Sequence, residues 1–318
     1  MLISAFEANI MAKKKTLIAI VGPTAVGKTA MAISLAQYFK TEIISADSRQ
    51  FYREMTIGTA KPDLEELASA PHHFINSNSI TQDYSAGDFE REALHKLDEL
   101  FRQNDVVVMV GGSGLFVRAL CEGLDDLPKA GDEVRERLNN EMAQLGLEQM
   151  KERLKTIDPV YYQIADIDNP QRVVRALEVF EATGKPMSFY HKKDLNKRPF
   201  DILTIGLNME RPQLYERINL RVERMMEMGL LEEVKSLFPF RSKPALLTVG
   251  YAELFDYLDG NISLEEAVER IQQNSRRYAK RQITWFKKYG STSWFQPDET
   301  GTIIDFISAK LLESSQMS

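Results

Sequence analysis

An eight-residue loop constrains the fold of this chain more than any other feature of its sequence. Gly22–Thr29 reads GPTAVGKT and fits the pattern G-x-x-x-x-G-K-[ST] of a phosphate-binding loop. The apolar run Thr16–Val21 directly before it predicts a buried strand, and Thr29–Phe39 has the pattern of a helix. A chance match to the short pattern would not be expected to have this strand–loop–helix context. The loop therefore predicts a site for a diphosphate or a triphosphate.

The residue types of the loop indicate how it would hold that ligand. Glycines let backbone N–H groups converge on phosphate oxygens, and the N-terminus of a helix adds partial positive charge. Lys28 supplies a cation, and the hydroxyl of Thr29 can ligate Mg²⁺, the cofactor that we predict. The predicted diphosphate-binding residues are Gly22, Pro23, Thr24, Ala25, Val26, Gly27, Lys28 and Thr29.

Strand, turn and helix alternate along the first 120 residues. After the loop and its helix, strands are predicted at Glu42–Ala46 and Asp105–Val110, with an amphipathic helix at Asp88–Gln103 between them. Such alternation is typical of a parallel sheet covered by helices. The predicted fold class is therefore α/β, with a parallel sheet core like that of the P-loop NTPases.

The pattern changes near Leu124, where a helical and strongly charged segment begins, and a strand pattern returns at Leu203–Leu207. Two long helical patterns follow, Arg211–Leu237 and Ser263–Tyr289. We therefore predict a catalytic core of residues 1–123 and 200–318, interrupted by an inserted all-helical domain of residues 124–199. Residues 1–11 are expected to be a disordered leader before a natural start at Met11.

Asp47 directly follows the second predicted strand, in the run Asp47-Ser48-Arg49-Gln50. In open parallel sheets, ligands bind beyond the carboxyl ends of the strands, so Asp47 is expected on the same edge as the phosphate loop. A carboxylate there could take a proton from an attacking amine. Capping of a helix is the alternative role, because Asp is a favoured capping residue.

The strand Asp105–Val110 ends in Gly111-Gly112-Ser113-Gly114, with no carboxylate at its end. Phosphate-loop proteins that turn over nucleotides usually carry an acid at such a position to help hold Mg²⁺. A strand that ends in glycines leaves open space beside the phosphates, where a second substrate could enter.

Basic side chains are concentrated near the C-terminus, although the net charge of the chain is −6. Between Arg270 and Gly290 there are seven lysines and arginines and no acid, with Tyr278, Trp285, Phe286 and Tyr289 among them. Such a helix can follow phosphates and stack bases, which indicates a polyanionic partner. A solvated helix with inward-facing aromatic side chains is the alternative.

Composition limits the remaining possibilities. The single cysteine, Cys121, excludes an intrachain disulfide and a zinc site built from cysteines, and both facts fit a reducing cytoplasm. The longest apolar runs are much shorter than the roughly 20 residues that a membrane-spanning helix needs. We therefore expect a cytoplasmic protein without a membrane partner, and a monomer.

The chain resembles the tRNA dimethylallyltransferase (isopentenyltransferase) family of bacterial type, and the matching segments run through most of its length. They are Gly22–Thr29, Ser45–Pro62, Pro71–His73, Tyr84–Phe89, Gly111–Phe116, Asn169–Pro186, Val249–Leu254 and Lys280–Lys288. Many phosphate-binding proteins share the first segment, whereas the ordered set is specific to the family.

The resemblance implies transfer of a dimethylallyl group from dimethylallyl diphosphate to the exocyclic amine of adenosine 37, beside the anticodon. It implies that Asp47 is the general base, that Lys28 and Arg221 steady the diphosphate, and that ATP is not a substrate. The helical insertion would grip the anticodon arm of the tRNA. The residues implied to contact tRNA are Asp47, Ser48, Arg49, Gln50, Ser113, Arg135, Gln171, Arg172, Val173, Val174 and Arg175.

Two other functions share some of these features. A small-molecule kinase would have the same loop, core and Mg²⁺, but the absent acid after Val106–Val110 and the basic helix disfavour it. An RNA-binding protein with an inactive loop would bind tRNA without prenyl transfer. The intact Lys28, Thr29 and Asp47 disfavour that second alternative.

Overall fold

A six-stranded parallel sheet forms the centre of the computed structural model, which describes residues 14–125, 127–191, 198–288 and 291–316. The predicted leader and Tyr289 lie outside these ranges. The strands are β1 (Thr16–Val21), β2 (Ile43–Ser45), β3 (His72–His73), β4 (Val106–Val110), β5 (Asp201–Leu207) and β6 (Thr292–Phe295). They lie in the order β3-β2-β4-β1-β5-β6, and every neighbouring pair is parallel.

Helices, joined by turns and loops, form most of the rest of the described chain. They are α1 (Lys28–Phe39), α2 (Leu64–Ser69), α3 (Ala86–Phe101), α4 (Gly114–Glu122), α5 (Asp132–Ile157), α6 (Pro159–Ile164), α7 (Pro170–Thr183), α8 (Met187–Tyr190), α9 (Arg211–Glu227), α10 (Leu230–Leu237), α11 (Ala252–Leu258), α12 (Leu264–Lys288) and α13 (Thr300–Gln316). Helix α5 is interrupted at Gly146, where φ is +80°.

The central strands form because their residues are apolar on both faces. All six residues of β1 and all five of β4 are buried, as expected for parallel strands covered by helices on both sides. The register pairs Ile20 with Val110 and Val21 with Gly206. The carboxyl ends of β1, β4 and β5 therefore lie side by side, at the edge where open parallel sheets bind ligands.

The chain divides into two compact units, Met1–Cys121 with Arg198–Ser318, and Glu122–Lys197. The first, which we call the sheet unit, has one core around the strands and another among α9 to α12, with Leu246, Leu254 and Ile271 at its centre. The second, which we call the helical unit, has its own core around Leu138, Leu154 and Leu177. The described residues of the helical unit form helices and no strand.

The structure confirms the predicted α/β class and parallel sheet, and it corrects one predicted element. Arg211–Leu237 was expected to be a single helix, but it forms α9 and α10. Gly229 separates them with a φ of +97°, in the left-handed region that glycine tolerates and that ends a helix.

No helix in the described ranges is both long enough and apolar enough to span a membrane.

Candidate active site

The phosphate loop joins the end of β1 to the start of α1, and glycine is required at both of its ends. Gly22 has a φ of +145°, and a Cβ there would lie 2.4 Å from the carbonyl oxygen of Leu207 at the end of β5. Gly27 has a φ of +111° and precedes the first turn of α1. The loop thus turns sharply against the sheet edge, with the helix N-terminus behind it.

A cavity of about 790 Å³ opens beside this loop in the sheet unit. Of the eight predicted diphosphate-binding residues, five line it: Thr24, Ala25, Gly27, Lys28 and Thr29. The other three, Gly22, Pro23 and Val26, are buried and support the loop from behind. The hydroxyl-bearing Thr29, the predicted Mg²⁺ ligand, is therefore on the cavity side.

Lys28 is held against its own loop inside the cavity. Its Nζ donates to the carbonyl oxygen of Pro23 at 2.7 Å. Burial, reinforced by the nearby Arg221, lowers the pKa of Lys28 to about 8, while Asp47 acts in the opposite direction. The ammonium is thus poorly solvated, and a bound anion would stabilise its charged form.

Helix α9 adds a row of arginines to the same cavity. Arg217, Arg221 and Arg224 recur at spacings of four and three residues, so they share one face of the helix, and all three line the cavity. A Cβ at Gly27 would lie 4.0 Å from Nη2 of Arg217. Burial lowers the pKa of Arg221, against the opposing effect of Asp47. Arg217 and Arg224 were not among the predicted site residues.

Asp47 lines the cavity and also caps a turn. Its Oδ1 accepts hydrogen bonds from the backbone N–H groups of Arg49, at 2.9 Å, and Gln50, at 3.4 Å. Among the described residues, Oδ2 has no hydrogen-bond donor. The capping role and the base role, which the sequence left as alternatives, are therefore compatible, because they use different oxygens.

The residues after Asp47 connect neighbouring loops. The buried hydroxyl of Ser113 accepts from the backbone N–H of Ser48 at 2.9 Å and bonds the Ser48 hydroxyl at 3.0 Å. Gln50 donates to the carbonyl oxygens of Thr59, at 3.2 Å, and Ala60, at 3.1 Å. Ser48, Arg49 and Ser113 also line a shallow depression next to the cavity.

Helix α12 closes the cavity with two polar residues, Tyr278 and Gln282, that were not among the predicted site residues. Gln282, only 5% exposed, accepts from the N–H of Thr24 at 2.8 Å and donates to the carbonyl oxygen of Gly112 at 2.8 Å. Burial and the charge of Asp47 raise the pKa of the Tyr278 hydroxyl to about 12. Gln282 lies in the matching segment Lys280–Lys288, and Tyr278 lies among the aromatic residues of the basic helix, but their roles in the cavity depend on partners that are distant in the chain.

The residues of the helical unit that are predicted to contact tRNA differ in their solvent exposure. Arg135 on α5 and Gln171 and Arg172 in the first turn of α7 are exposed. Arg175 donates to Glu178 at 2.8 Å and to the carbonyl oxygen of Pro128 at 3.1 Å.

The same prediction included Val173 and Val174, whose side chains are buried. Val173 is 1% exposed and Val174 is 5% exposed, within the core of the helical unit. Their apolar side chains pack within this core, and their contact with tRNA stays a prediction.

The sheet, the loop and the cavity together define a phosphate-loop protein in which Asp47 lines the same cavity as Lys28 and the arginines of α9. Comparison with known proteins narrows this class. The family model described as IPP transferase matches residues 50–289. A tRNA dimethylallyltransferase from Christiangramia forsetii is 50% identical over 296 residues, which are 93% of this chain and 98% of the relative. One from Cytophaga hutchinsonii is 50% identical over 299 residues, 94% of this chain and 98% of the relative.

Solved structures give the same family. A tRNA isopentenylpyrophosphate transferase from Bacillus halodurans matches with a TM-score of 0.72 and 38% identity, covering 96% of this chain and 99% of that one. A eukaryotic dimethylallyltransferase acting on tRNA matches with a TM-score of 0.72 and 29% identity, covering 85% of this chain and 69% of that one. The chain belongs to the tRNA dimethylallyltransferase family. This membership supports the prenyltransferase prediction and not the kinase alternative.

Proposed function

We propose that this protein transfers a dimethylallyl group from dimethylallyl diphosphate to the exocyclic amine of adenosine 37 of tRNA and releases diphosphate. One observation carries the proposal: Asp47, with an oxygen free of donors among the described residues, lines the same cavity as Lys28, Arg221 and the phosphate loop. A base and an anion site in one cavity suit the displacement of a diphosphate by an amine.

The cations would stabilise the leaving group. In the reaction, the bond between the allylic carbon and the diphosphate oxygen breaks, and negative charge grows on the diphosphate. Lys28, Arg217 and Arg221 would oppose that charge, together with the N–H groups of the loop. The new bond joins the allylic carbon to the amine nitrogen, and the proton lost by the nitrogen passes to Asp47.

The side chains of the cavity could hold Mg²⁺ only together with phosphate oxygens of the bound diphosphate. In the described residues, no group of three or more His, Cys, Asp or Glu side chains could hold a metal. The Thr29 hydroxyl would contribute one ligand, and phosphate oxygens and water the others, as Mg²⁺ commonly prefers. The bound ion would add charge stabilisation for the departing diphosphate.

A smaller space of about 220 Å³ adjoins the cavity and offers room for the hydrocarbon part of the donor. Its apolar lining is formed by Ile218, Val222, Met225, Val249 and Ile271. Asp47 and Arg221 line it as well, so a prenyl group lodged there would have its reactive carbon near both the base and the diphosphate site.

The tRNA would be held by exposed basic residues. Arg135, Gln171 and Arg172 on the helical unit and the basic side chains of α12 suit phosphate and base contacts, since Arg and Lys dominate such interfaces. The target adenine would leave its stack to reach the cavity, because a stacked base shields its amine. The enzyme would act in the cytoplasm as a monomer.

The test is transfer of labelled dimethylallyl from its diphosphate to unmodified tRNA in the presence of Mg²⁺. The native chain should label tRNA that carries adenosine 37. It should not label tRNA with guanosine 37, because guanine has a carbonyl oxygen on C6 where adenine has the amine. Asp47→Asn keeps the turn-capping oxygen but cannot accept the proton. It should therefore lower kcat roughly 10²–10⁴-fold, the usual contribution of a general base.

The matched control is Asp98→Asn, an exposed residue of α3, which should keep the native rate. Binding of tRNA without any transfer by the native chain would contradict the proposal and favour an RNA-binding protein with an inactive loop. An unchanged rate in Asp47→Asn would remove Asp47 from the role of base.

A further inference from the structure

Glu233, in the first turn of α10, is bonded to a loop far away in the sequence. Its Oε2 accepts from the backbone N–H groups of Thr56, at 2.9 Å, and Ile57, at 2.8 Å, and its Oε1 accepts from that of Gly58 at 3.0 Å. Oε1 also accepts from the Tyr251 hydroxyl at 2.6 Å. One carboxylate thus accepts hydrogen bonds from three consecutive backbone amides and a phenol hydroxyl.

Tyr251 completes this contact from the other side. It is fully buried, and a Cβ at Gly58 would lie 2.5 Å from its ring. The ring therefore packs directly on the backbone of Gly58, at a position where any side chain would have to displace it. Glu233 and Tyr251 together form what we call the loop clamp.

The clamped segment, residues 56–61, is a wall of the candidate active site. Thr56, Ile57, Thr59, Ala60 and Lys61 all line the cavity. The segment is formed by turns and lacks regular secondary structure, so side chains must supply much of its hydrogen bonding.

The inner side of this segment contacts Arg221, which is proposed to act on the donor, and Gln50. The carbonyl oxygen of Ala60 accepts from Arg221 at 3.5 Å and from Gln50 at 3.1 Å. The segment therefore lies between the loop clamp on one side and Arg221 on the other. A shift of its backbone would move a partner of Arg221, although Glu233 itself does not line the cavity.

We propose that Glu233 is a positioning residue of this enzyme, which acts with Tyr251 to fix the loop that holds Arg221 and shapes the donor site. The inference rests on the proposed function, since it assigns the cavity to the prenyl donor. The carboxylate is suited to this task because its bonds are charge-assisted and three of them come from consecutive backbone N–H groups of the loop. Misplacement of a reactive geometry by about 1 Å can cost 10²-fold in rate.

The experiment compares Glu233→Gln with Glu232→Gln. Glu232 is the adjacent residue, with an exposed side chain paired to Lys235 at 2.7 Å, so its variant removes a charge from the same turn without touching the loop. Glu233→Gln keeps the shape of the side chain but offers only one acceptor oxygen, so at least one loop amide loses its partner. Tyr251→Phe is the milder third variant, because the ring and all three amide bonds remain.

Three readouts are measured on the full chain. In Glu233→Gln, kcat/KM for dimethylallyl diphosphate should fall roughly 10–100-fold, while KM for tRNA changes little. Affinity for inorganic diphosphate with Mg²⁺, measured by calorimetry, should weaken in parallel. Hydrogen exchange should accelerate in peptides covering residues 56–61. Tyr251→Phe should show smaller changes of the same kind, and Glu232→Gln none.

A purely structural role would give a different result. Glu233→Gln would then lower the melting temperature while the folded fraction kept the native kcat/KM and diphosphate affinity, and that result would overturn the inference. Unchanged exchange in residues 56–61 would also overturn it. If the native chain transferred no prenyl group, the proposed function would fail, whereas exchange and diphosphate affinity would still decide whether Glu233 fixes this wall of the cavity.

Discussion

Lys28 shows how one buried charge can give the site a pH dependence. Its pKa is lowered to about 8, chiefly by burial and then by Arg221, so it loses its proton well below the ordinary value of 10.5. The charged form exists below this pKa, and the neutral form above it. Because only the ammonium attracts phosphate, affinity for inorganic diphosphate should fall as the pH rises through about 8.

Calorimetric titration of diphosphate between pH 7 and 9.5 measures this effect. Lys61 also lines the cavity and also has a pKa lowered to about 8 by burial, so the two lysines must be separated. Lys28→Arg keeps a charge throughout this range and should flatten the pH profile of diphosphate affinity. Lys61→Arg should retain most of the pH dependence of the native chain. A native profile that is flat up to pH 9.5 would contradict the assignment.

At the scale of the element, α12 packs closely against the glycine-rich end of β4. A Cβ at Gly114, the first residue of α4, would lie 2.3 Å from Nε1 of Trp285, and one at Gly112 would lie 2.4 Å from Nε2 of Gln282. The glycines that follow β4 thus allow a helix with basic and aromatic residues to lie directly against the strand end. They also explain why no carboxylate is found there.

Gly114→Ala should destabilise the protein by about 1–3 kcal/mol, since a methyl group inserted at this distance forces the indole or the helix to move. Gly301→Ala is the control, because Gly301 lies in α13 with no atom near the position of its Cβ. That change should be neutral or stabilising by up to about 1 kcal/mol, as Ala favours helix over Gly. Urea unfolding of both variants measures the difference, and equal stabilities would contradict the packing argument.

The elements also show which parts of the fold could be predicted from sequence. Strand β1 is a short run rich in apolar and β-branched residues and was predicted to the residue, whereas β3 and β6 were missed. Strand β3 has two residues, and β6 has the half-buried sequence TSWF, so neither carries a detectable hydrophobic period. Their pairing depends on neighbours that are distant in the chain.

The residues of the candidate site also divide into those that could be predicted from sequence and those that could not. The phosphate loop could be predicted from a short motif, and Asp47 from its position directly after a strand. Gln282 is 258 residues from Thr24, and Glu233 is 177 residues from Thr56, so their roles arise only when the chain folds. The segment Gln171–Arg175 shows a second limit, because one short motif contains both exposed positions and the buried Val173 and Val174, which its sequence alone does not separate.

At the scale of the whole molecule, the chain leaves the sheet unit and returns to it at neighbouring points. Arg198, the first residue of the returning chain, donates through Nε to the carbonyl oxygen of Leu120 at 2.9 Å. It also donates to Glu90 at 2.6 Å, within the sheet unit. Each unit has its own buried core. A short linker could therefore replace the helical unit without stretching the sheet unit.

We expect a variant in which a short Gly-Ser linker replaces residues 123–196 to fold and to bind inorganic diphosphate nearly as the full chain does. All the residues that line the candidate active site belong to the sheet unit, so the anion site should survive. Affinity for tRNA should fall, and the slope of its salt dependence should become shallower, because the phosphate contacts that we propose for the helical unit would be lost. Circular dichroism, calorimetry and filter binding measure these three properties. A folded variant that bound tRNA as tightly as the full chain would show that the sheet unit alone recognises the tRNA.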